Sequence, residues 1–145
     1  MSNTFFVILV VIIGGVAAVF QAQFNGIMDK GMGTLESVFV TYGVGGIIIA
    51  LIMLFMRGGN LSAASTMPWY VFTAGLFGLV IIGSLSYSVP RLGLVAVYTI
   101  IVATQFILGA VIDHYGLLGA DIKLMTLPKM VGIGVLMLGV WLIMR

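Results

Sequence analysis

Cysteine is absent and charged residues are scarce in this chain of 145 residues. Without cysteine, the chain has no disulfide, no cysteine metal site and no thiol nucleophile. Only 7% of its residues are charged, whereas soluble domains carry roughly 25%, and no basic run offers a surface for nucleic acid. Hydrophobic residues make up 62% of the chain. So few charged residues could not cover that much apolar surface in water. The sequence therefore predicts that the surrounding solvent is lipid.

Five apolar stretches are each long enough to cross a bilayer, which takes about 20 residues as a helix. Strands are a poor alternative, because these runs are far too long and an open sheet cannot span a bilayer. The sequence therefore predicts an all-α membrane protein with five transmembrane helices and no soluble domain. It forms a single transmembrane domain over residues 1–145, with helices at about residues 5–24, 38–56, 69–89, 92–112 and 128–144.

Turn residues mark the predicted ends of these helices. The segment Asp29–Thr34 predicts a short turn after the first helix, and Arg57–Asn60 predicts the end of the second. Pro90 and Arg91 predict a tight break between the third and fourth helices. Pro128 fits the first turn of the fifth helix, where a missing N–H is tolerated.

Positive charge is divided evenly between the two faces of the membrane. With five helices, one face receives Lys30, Arg91 and Arg145, and the other receives Arg57, Lys123 and Lys129. The bias in Lys and Arg that normally sets orientation is therefore missing. Two interpretations remain open. Either copies insert in both orientations and pair antiparallel, or the balance is a coincidence and packing fixes one orientation.

Three amides lie within or at the ends of the predicted helices. Gln21 and Asn25 share a face of the first helix with Gly14 and Ala18, and Gln105 lies near the middle of the fourth. A buried amide without partners in hydrocarbon costs several kcal/mol, so each is expected to face protein, water or a ligand. Two roles fit these residues: they could hold two helices together by hydrogen bonds, or they could line a polar path.

No ionisable side chain lies deep in a predicted helix, which disfavours a buried proton relay or a charge-reading filter. The ionisable groups stand at helix ends, among them Glu36, Arg91 and the pair Asp113 and His114. That pair is more typical of a helix end than of a metal site, because no third ligand is near. The sequence predicts no metal, no cofactor and no enzyme activity.

Several motifs in a fixed order resemble one family. They are Gln21–Asn25, Gly33–Ser37, Tyr42–Gly45, Pro90–Gly93, Gln105 and Asp113–Gly119. Together they resemble the YdcZ-like, half-length branch of the drug/metabolite transporter superfamily, over nearly the whole chain. The resemblance implies a multi-pass protein of the bacterial inner (plasma) membrane, and secondary transport by a fold of inverted repeats. It also implies oppositely oriented copies in some members, which favours dual topology here.

The chain departs from its relatives at two places. Thr104 precedes Gln105 where a glycine is more usual, which leaves less room beside the glutamine. The deep glutamate that small multidrug-resistance relatives carry in their first helix is also missing. Export of cations by proton exchange at that residue is therefore not implied. The resemblance marks Gln21, Asn25, Pro90, Arg91, Gly93, Gln105, Asp113, Gly116 and Gly119 as family positions.

The sequence thus predicts a half-size secondary transporter of a small, neutral or weakly polar organic solute, working as an antiparallel, dual-topology homodimer. An oppositely oriented paralogue could replace the second copy. The substrate site is predicted near the dimer midplane, on faces of helices one, three and four. Its residues would be Gln21, Asn25, Tyr87, Tyr98 and Gln105. Coupling or gating would fall to Glu36, Pro90, Arg91, Gly93 and Asp113. The alternative is a small membrane scaffold or accessory subunit, which predicts no polar cavity.

Overall fold

The computed structural model describes residues 4–56 and 59–145 of the chain. Over these residues it contains helices and no strand, and five helical segments are long and apolar enough to cross a membrane. The all-α membrane fold is confirmed. The α-helices are α1 (Thr4–Met32), α2 (Thr34–Met56), α3 (Ala74–Leu92), α4 (Leu94–Tyr115) and α5 (Leu127–Met144). Short 3₁₀ segments cover Leu61–Thr66, Trp69–Thr73 and Leu117–Gly119.

The first helix runs well past its predicted end, and the turn predicted over Asp29–Thr34 is wrong. α1 continues to Met32, and Gly33 alone separates it from α2. Gly33 has φ of +105°, a conformation that side chains other than glycine rarely adopt. Its N–H donates to the Asp29 carbonyl oxygen at 3.0 Å, and its own carbonyl oxygen accepts from the Ser37 N–H at 3.1 Å. A single glycine is therefore enough to reverse the chain.

Pro90 does not break the third helix, so the predicted break at Pro90 and Arg91 is displaced. α3 continues through Pro90 to Leu92, and the interruption comes at Gly93, with φ of +81°. A proline in the last turn removes one backbone donor, which is a small loss compared with a proline in mid-helix. Pro128 lies in the first turn of α5, as expected. The predicted end of the second helix falls on Arg57 and Gly58, which lie outside the described residues.

Most apolar side chains on the spanning helices are exposed within the single chain. Leu35 is 81% exposed and Phe55 is 85% exposed. None of the described side chains of α5 is buried, and Ser37 is the buried residue of α2. In water such surfaces would be untenable, because soluble monomers rarely expose large contiguous apolar patches. These faces require lipid or another protein against them.

The chain divides into two compact units, Met1–Arg91 and Leu92–Arg145. In the first unit α1 packs on α2, and the buried apolar residues of α3 are Ile82, Leu85 and Val89. In the second unit α4 packs on α5, and the 3₁₀ segment Leu117–Gly119 packs back on α4. Each unit carries polar residues of its own.

Alanine at Gly26 is expected to destabilise the first unit. Gly26 is buried where α1 approaches α3, and a Cβ there would lie 3.0 Å from Val89 Cγ1 and 3.4 Å from Pro90 Cδ. Overpacking of this kind costs about 1–3 kcal/mol, so Gly26→Ala should lower the melting temperature of the purified protein in detergent. Gly15→Ala is the matched control, because nothing lies within 4 Å of a Cβ at that position. Equal melting temperatures for Gly26→Ala and the unaltered protein would contradict the close approach.

Candidate functional site

The first unit concentrates its polar side chains at one end, where α1 ends, α2 begins and α3 ends. This polar cluster consists of Asn25, Asp29, Thr34, Ser37, Thr41, Ser86 and Arg91. On α1 and on α2 its members lie three or four residues apart, which places them on one face of each helix. The cluster therefore faces the interior of the three-helix unit.

A chain of hydrogen bonds through the polar cluster ties the three helices together. The Ser37 hydroxyl donates to the backbone carbonyl oxygen of Asn25 at 3.2 Å. Its oxygen lies 3.1 Å from the Ser86 hydroxyl, which can then act as the donor. All three residues are buried, with 1% or less of their surface exposed. One serine on α2 thus joins α1 to α3 where water cannot compete for the bonds.

The Asn25 side chain is held with half of its amide unpaired. Its Oδ1 accepts a hydrogen bond of 2.6 Å from the Thr41 hydroxyl. Its Nδ2 is buried and has no hydrogen-bond partner among the described residues. Turning the amide over would pair the nitrogen with Thr41 but leave the oxygen unpaired instead. An unsatisfied buried donor costs about 1–3 kcal/mol, so Asn25 is a polar group that the fold tolerates at a loss of stability.

An ion pair joins α1 to α3 at the outer edge of the polar cluster. Arg91 Nη1 donates to Asp29 Oδ2 at 3.1 Å, and the Thr34 hydroxyl donates to the other carboxylate oxygen. The Arg91 guanidinium also lies 3.7 Å from the centre of the Tyr87 ring and donates to the Tyr87 carbonyl oxygen. The Asp29 side chain is 6% exposed, whereas that of Arg91 is 47% exposed. The pair can therefore act as a latch between the two helices, with water reaching its cationic side.

The second unit contains a groove between α4 and α5, with a volume of about 720 Å³. That volume falls within the range of roughly 300–1,000 Å³ typical of small-molecule sites. Its walls are mostly apolar, and small residues leave room along its length. Its lining consists of Gln105, Phe106, Gly109, Ala110, Asp113, Lys123, Met125, Lys129, Gly132, Ile133 and Leu136.

Helical spacing explains which side of α4 faces this groove. Gln105, Gly109 and Asp113 follow one another at intervals of four residues, so they form one stripe along the helix. Nothing lies within 4 Å of a Cβ placed at Gly109 or at Gly132 on α5. The two glycines thus open space between the helices, with the Gln105 amide well inside the helix and the Asp113 carboxylate in its last turn.

Gly116 turns the chain back after α4. It adopts a left-handed conformation with φ of +62°, and a Cβ there would lie 2.7 Å from Ile122 Cγ1. Both the backbone conformation and the close approach therefore require glycine at this position.

Backbone hydrogen bonds then hold the returning segment against the end of α4. The Lys123 N–H donates to the Asp113 carbonyl oxygen at 2.8 Å, and the Met125 N–H donates to His114 Nδ1 at 3.1 Å. These bonds place Lys123 and Met125 on the groove. His114 thus accepts a backbone hydrogen bond at the end of α4, as expected from the sequence for a residue at a helix end. Among the described residues, no group of three or more His, Cys, Asp and Glu side chains is placed to hold a metal ion.

The predicted substrate residues fall in both units. In the first, Asn25 belongs to the polar cluster, Tyr87 lies beneath Arg91, and Gln21 is exposed outside the cluster. In the second, Gln105 lines the groove, and Tyr98 is a partly buried residue of α4. Their assembly into one substrate site stays a prediction.

The predicted coupling and gating residues also divide between the units. Glu36 is exposed in the first turn of α2, whereas Asp113 lines the groove. Pro90 and Arg91 end α3, and Gly93 precedes α4. The roles of these five residues in coupling or gating stay predictions.

Sequence reasoning missed part of both polar regions. Asp29 continues the face of Gln21 and Asn25 by one more turn, and Thr41 follows Ser37 by one turn, so their spacing was a usable signal. Pairing between distant helices, as in Asp29 with Arg91, leaves no such pattern. The contribution of α5 to the groove, with Lys129 at its start, was also unforeseen.

A comparison with known families places this chain in one of them. The family model whose description reads "Putative inner membrane exporter, YdcZ" covers residues 6–142. No curated protein and no solved structure matches the chain. The description is that of a membrane transporter, which agrees with the five apolar helices and is consistent with a protein that is not an enzyme.

Proposed function

Since the chain belongs to the YdcZ family of inner membrane exporters, we propose that it is a half-size secondary transporter of a small organic solute. The solute is neutral or weakly polar, and two copies of the chain work together as an antiparallel, dual-topology homodimer. The transporter role and the multi-pass inner membrane location follow from the family and from the five spanning helices.

The groove of the second unit is the observation that carries the proposal. Its volume suits a small organic molecule, and Phe106, Ile133 and Leu136 give it apolar walls. Gln105 supplies an amide that can donate and accept hydrogen bonds at a fixed point on those walls. Such a site suits a solute with an apolar body and few hydrogen-bonding groups.

Two features support an antiparallel pair. The apolar faces of α2 and α5 are left uncovered by the single chain, and five helices are few for enclosing a path across a membrane. The sequence also places three Lys or Arg residues on each predicted face of the membrane, so it has no charge bias toward one orientation. An oppositely oriented paralogue would satisfy the same geometry.

The groove favours Asp113 over Glu36 as the coupling carboxylate. Asp113 lines the space in which the solute would bind, whereas Glu36 is exposed in the first turn of α2. In this proposal the latch between Asp29 and Arg91 and the glycine hinge at Gly93 change during alternating access, as expected for elements at helix ends.

The groove also counts against the alternative of a scaffold or accessory subunit. That alternative predicts glycine faces without a polar cavity. Here Gly109 and Gly132 border a cavity that contains an amide and three charged side chains, which a packing surface has no need of.

Removing the amide of the groove should reduce transport. Gln105→Leu keeps the approximate volume of the side chain and removes its hydrogen bonds, so transport in proteoliposomes should fall roughly tenfold, the effect of about one hydrogen bond. The assay uses the best-transported solute from a panel of small organic molecules. Gln23→Leu is the control, because Gln23 is an exposed glutamine of α1 that lies outside the groove and the polar cluster. Normal transport by folded Gln105→Leu protein would show that the site assignment is wrong.

A further inference from the structure

The charged residues of the groove gather at one end. Asp113 stands in the last turn of α4, Lys129 in the first turn of α5, and Lys123 in the segment between the two helices. Two ammonium groups and one carboxylate give this rim of the groove a net charge of +1. The rim therefore favours an anionic group over a cationic one.

The three charged side chains of the rim are not paired with one another. Over the described residues, no ion pair joins Asp113 to Lys123 or Lys129. The Lys129 Nζ donates to the Leu124 carbonyl oxygen at 3.3 Å, which is a neutral acceptor. The first turn of α5 adds partial positive charge at the same place, and Thr126 gives it no side-chain cap. Both ammonium groups thus keep donors that an anion can use.

The rest of the groove is apolar apart from one amide. Gln105 lies two helical turns from Asp113 on α4, which is about 12 Å along the helix axis. The walls beside it carry Phe106, Ile133 and Leu136, and the lining contains no further charged side chain below the rim. A solute that filled this groove would have a polar end at the rim and a hydrocarbon body below it.

We infer that the groove binds an amphipathic monocarboxylate, with its carboxylate at Lys123 and Lys129 and its hydrocarbon chain between α4 and α5. This inference rests on the proposed function and refines its substrate class, from a neutral or weakly polar solute to one with a single charged end. It agrees with the absence of ionisable groups deep in the predicted helices, because the charge of such a solute stays at the rim. Charge-assisted hydrogen bonds from two lysines then orient the solute.

Binding of decanoate to the purified protein tests this inference without any transport step. Radiolabelled decanoate and decanol are compared by equilibrium dialysis, with the protein in nanodiscs of zwitterionic lipid. The expected result is saturable decanoate binding that weakens about tenfold in the double variant Lys123→Gln, Lys129→Gln and at high salt, since the rim is exposed. Decanol binding should be the same for the double variant and the unaltered protein.

Lys30→Gln is the matched control, because it removes a lysine at the end of α1, outside the groove. It should leave decanoate binding unchanged. Decanoate that binds no better than decanol, or equally well to the double variant, would overturn the inference. Displacement of decanoate by phosphatidylglycerol at lower concentrations would overturn it too, because the rim would then be a site for anionic lipid. Transport of a neutral solute that depends on Gln105 would still stand in each case, so the two proposals fail separately.

Discussion

Arg91→Glu is expected to lower the melting temperature by several degrees and to abolish transport, and adding Asp29→Arg is expected to restore much of both. The single change sets two carboxylates against each other at the point where α1 meets α3, in place of a hydrogen-bonded ion pair of 3.1 Å. It also removes the cation that lies over the Tyr87 ring. The double variant recreates the pair with its charges exchanged, which is the coupling that a double-mutant cycle isolates.

The control for this experiment is Lys30→Glu. Lys30 lies next to Asp29 and on the same predicted face of the membrane as Arg91. Its reversal therefore changes the charge count of that face as much as Arg91→Glu does, and it leaves the ion pair intact. Thermal unfolding in detergent and transport in proteoliposomes are measured on the unaltered protein, the two single variants Arg91→Glu and Asp29→Arg, the double variant and Lys30→Glu. If the double variant is as defective as Arg91→Glu, or if Lys30→Glu is equally defective, the latch between α1 and α3 is not the cause.

Asn25→Leu is expected to leave the protein as stable as before or more stable, and yet to impair transport. Leucine has the branched shape and the number of side-chain heavy atoms of asparagine, with larger methyl groups at the branch. It removes the buried Nδ2 that has no partner in the described part of the chain. Removing such a group should gain about 1 kcal/mol, within the usual penalty for an unsatisfied buried donor. Thr41 keeps a second acceptor, the Ser37 carbonyl oxygen at 2.8 Å. The Ser37 hydroxyl still bonds the backbone oxygen of residue 25, which the substitution does not touch.

Ser86→Ala is the comparison for Asn25→Leu. It removes the hydrogen bond between Ser86 and Ser37 but leaves no donor unpaired, so it should cost about 1 kcal/mol and spare transport. Detergent melting and proteoliposome transport separate the two effects. An Asn25→Leu protein that is clearly destabilised would mean that the amide serves the fold. One that is stable and fully active would remove Asn25 from the transport path.

Hydropathy alone predicted the number and kind of helices, because each apolar run must cross the bilayer as a helix. The residues at which the helices end were less predictable. Polar residues such as Asn25 and Asp29 suggested that α1 had ended, whereas they face Thr41 on α2 and Arg91 on α3 inside the unit. The end of α3 was misplaced for a related reason. Pro90 is tolerated in a last turn, and Gly93, with its positive φ, makes the break.

The candidate site, like the helices, could be predicted from the sequence only in part. Gln105 and Asp113 were both predicted as functional residues from the sequence, and their spacing of eight residues places them on one stripe of α4. Contacts between elements determine the rest of the groove. They make α5 its opposite wall, and they fold the segment after Gly116 back so that Lys123 reaches the rim. Periodicity within one helix carries no information about those contacts.

The orientation of the chain in living cells tests whether two opposed copies form one transporter. The chain has no cysteine, so a single cysteine can be placed at Asn60, between α2 and α3, or appended after Arg145, without changing the charge count. By the number of helices these two sites lie on opposite faces of the membrane. Intact cells are labelled with an impermeant thiol reagent, and lysed cells give the total. If copies insert in both orientations, about half of each variant is labelled in intact cells. Complete labelling at one site with none at the other would contradict dual topology, because every copy would then share one orientation.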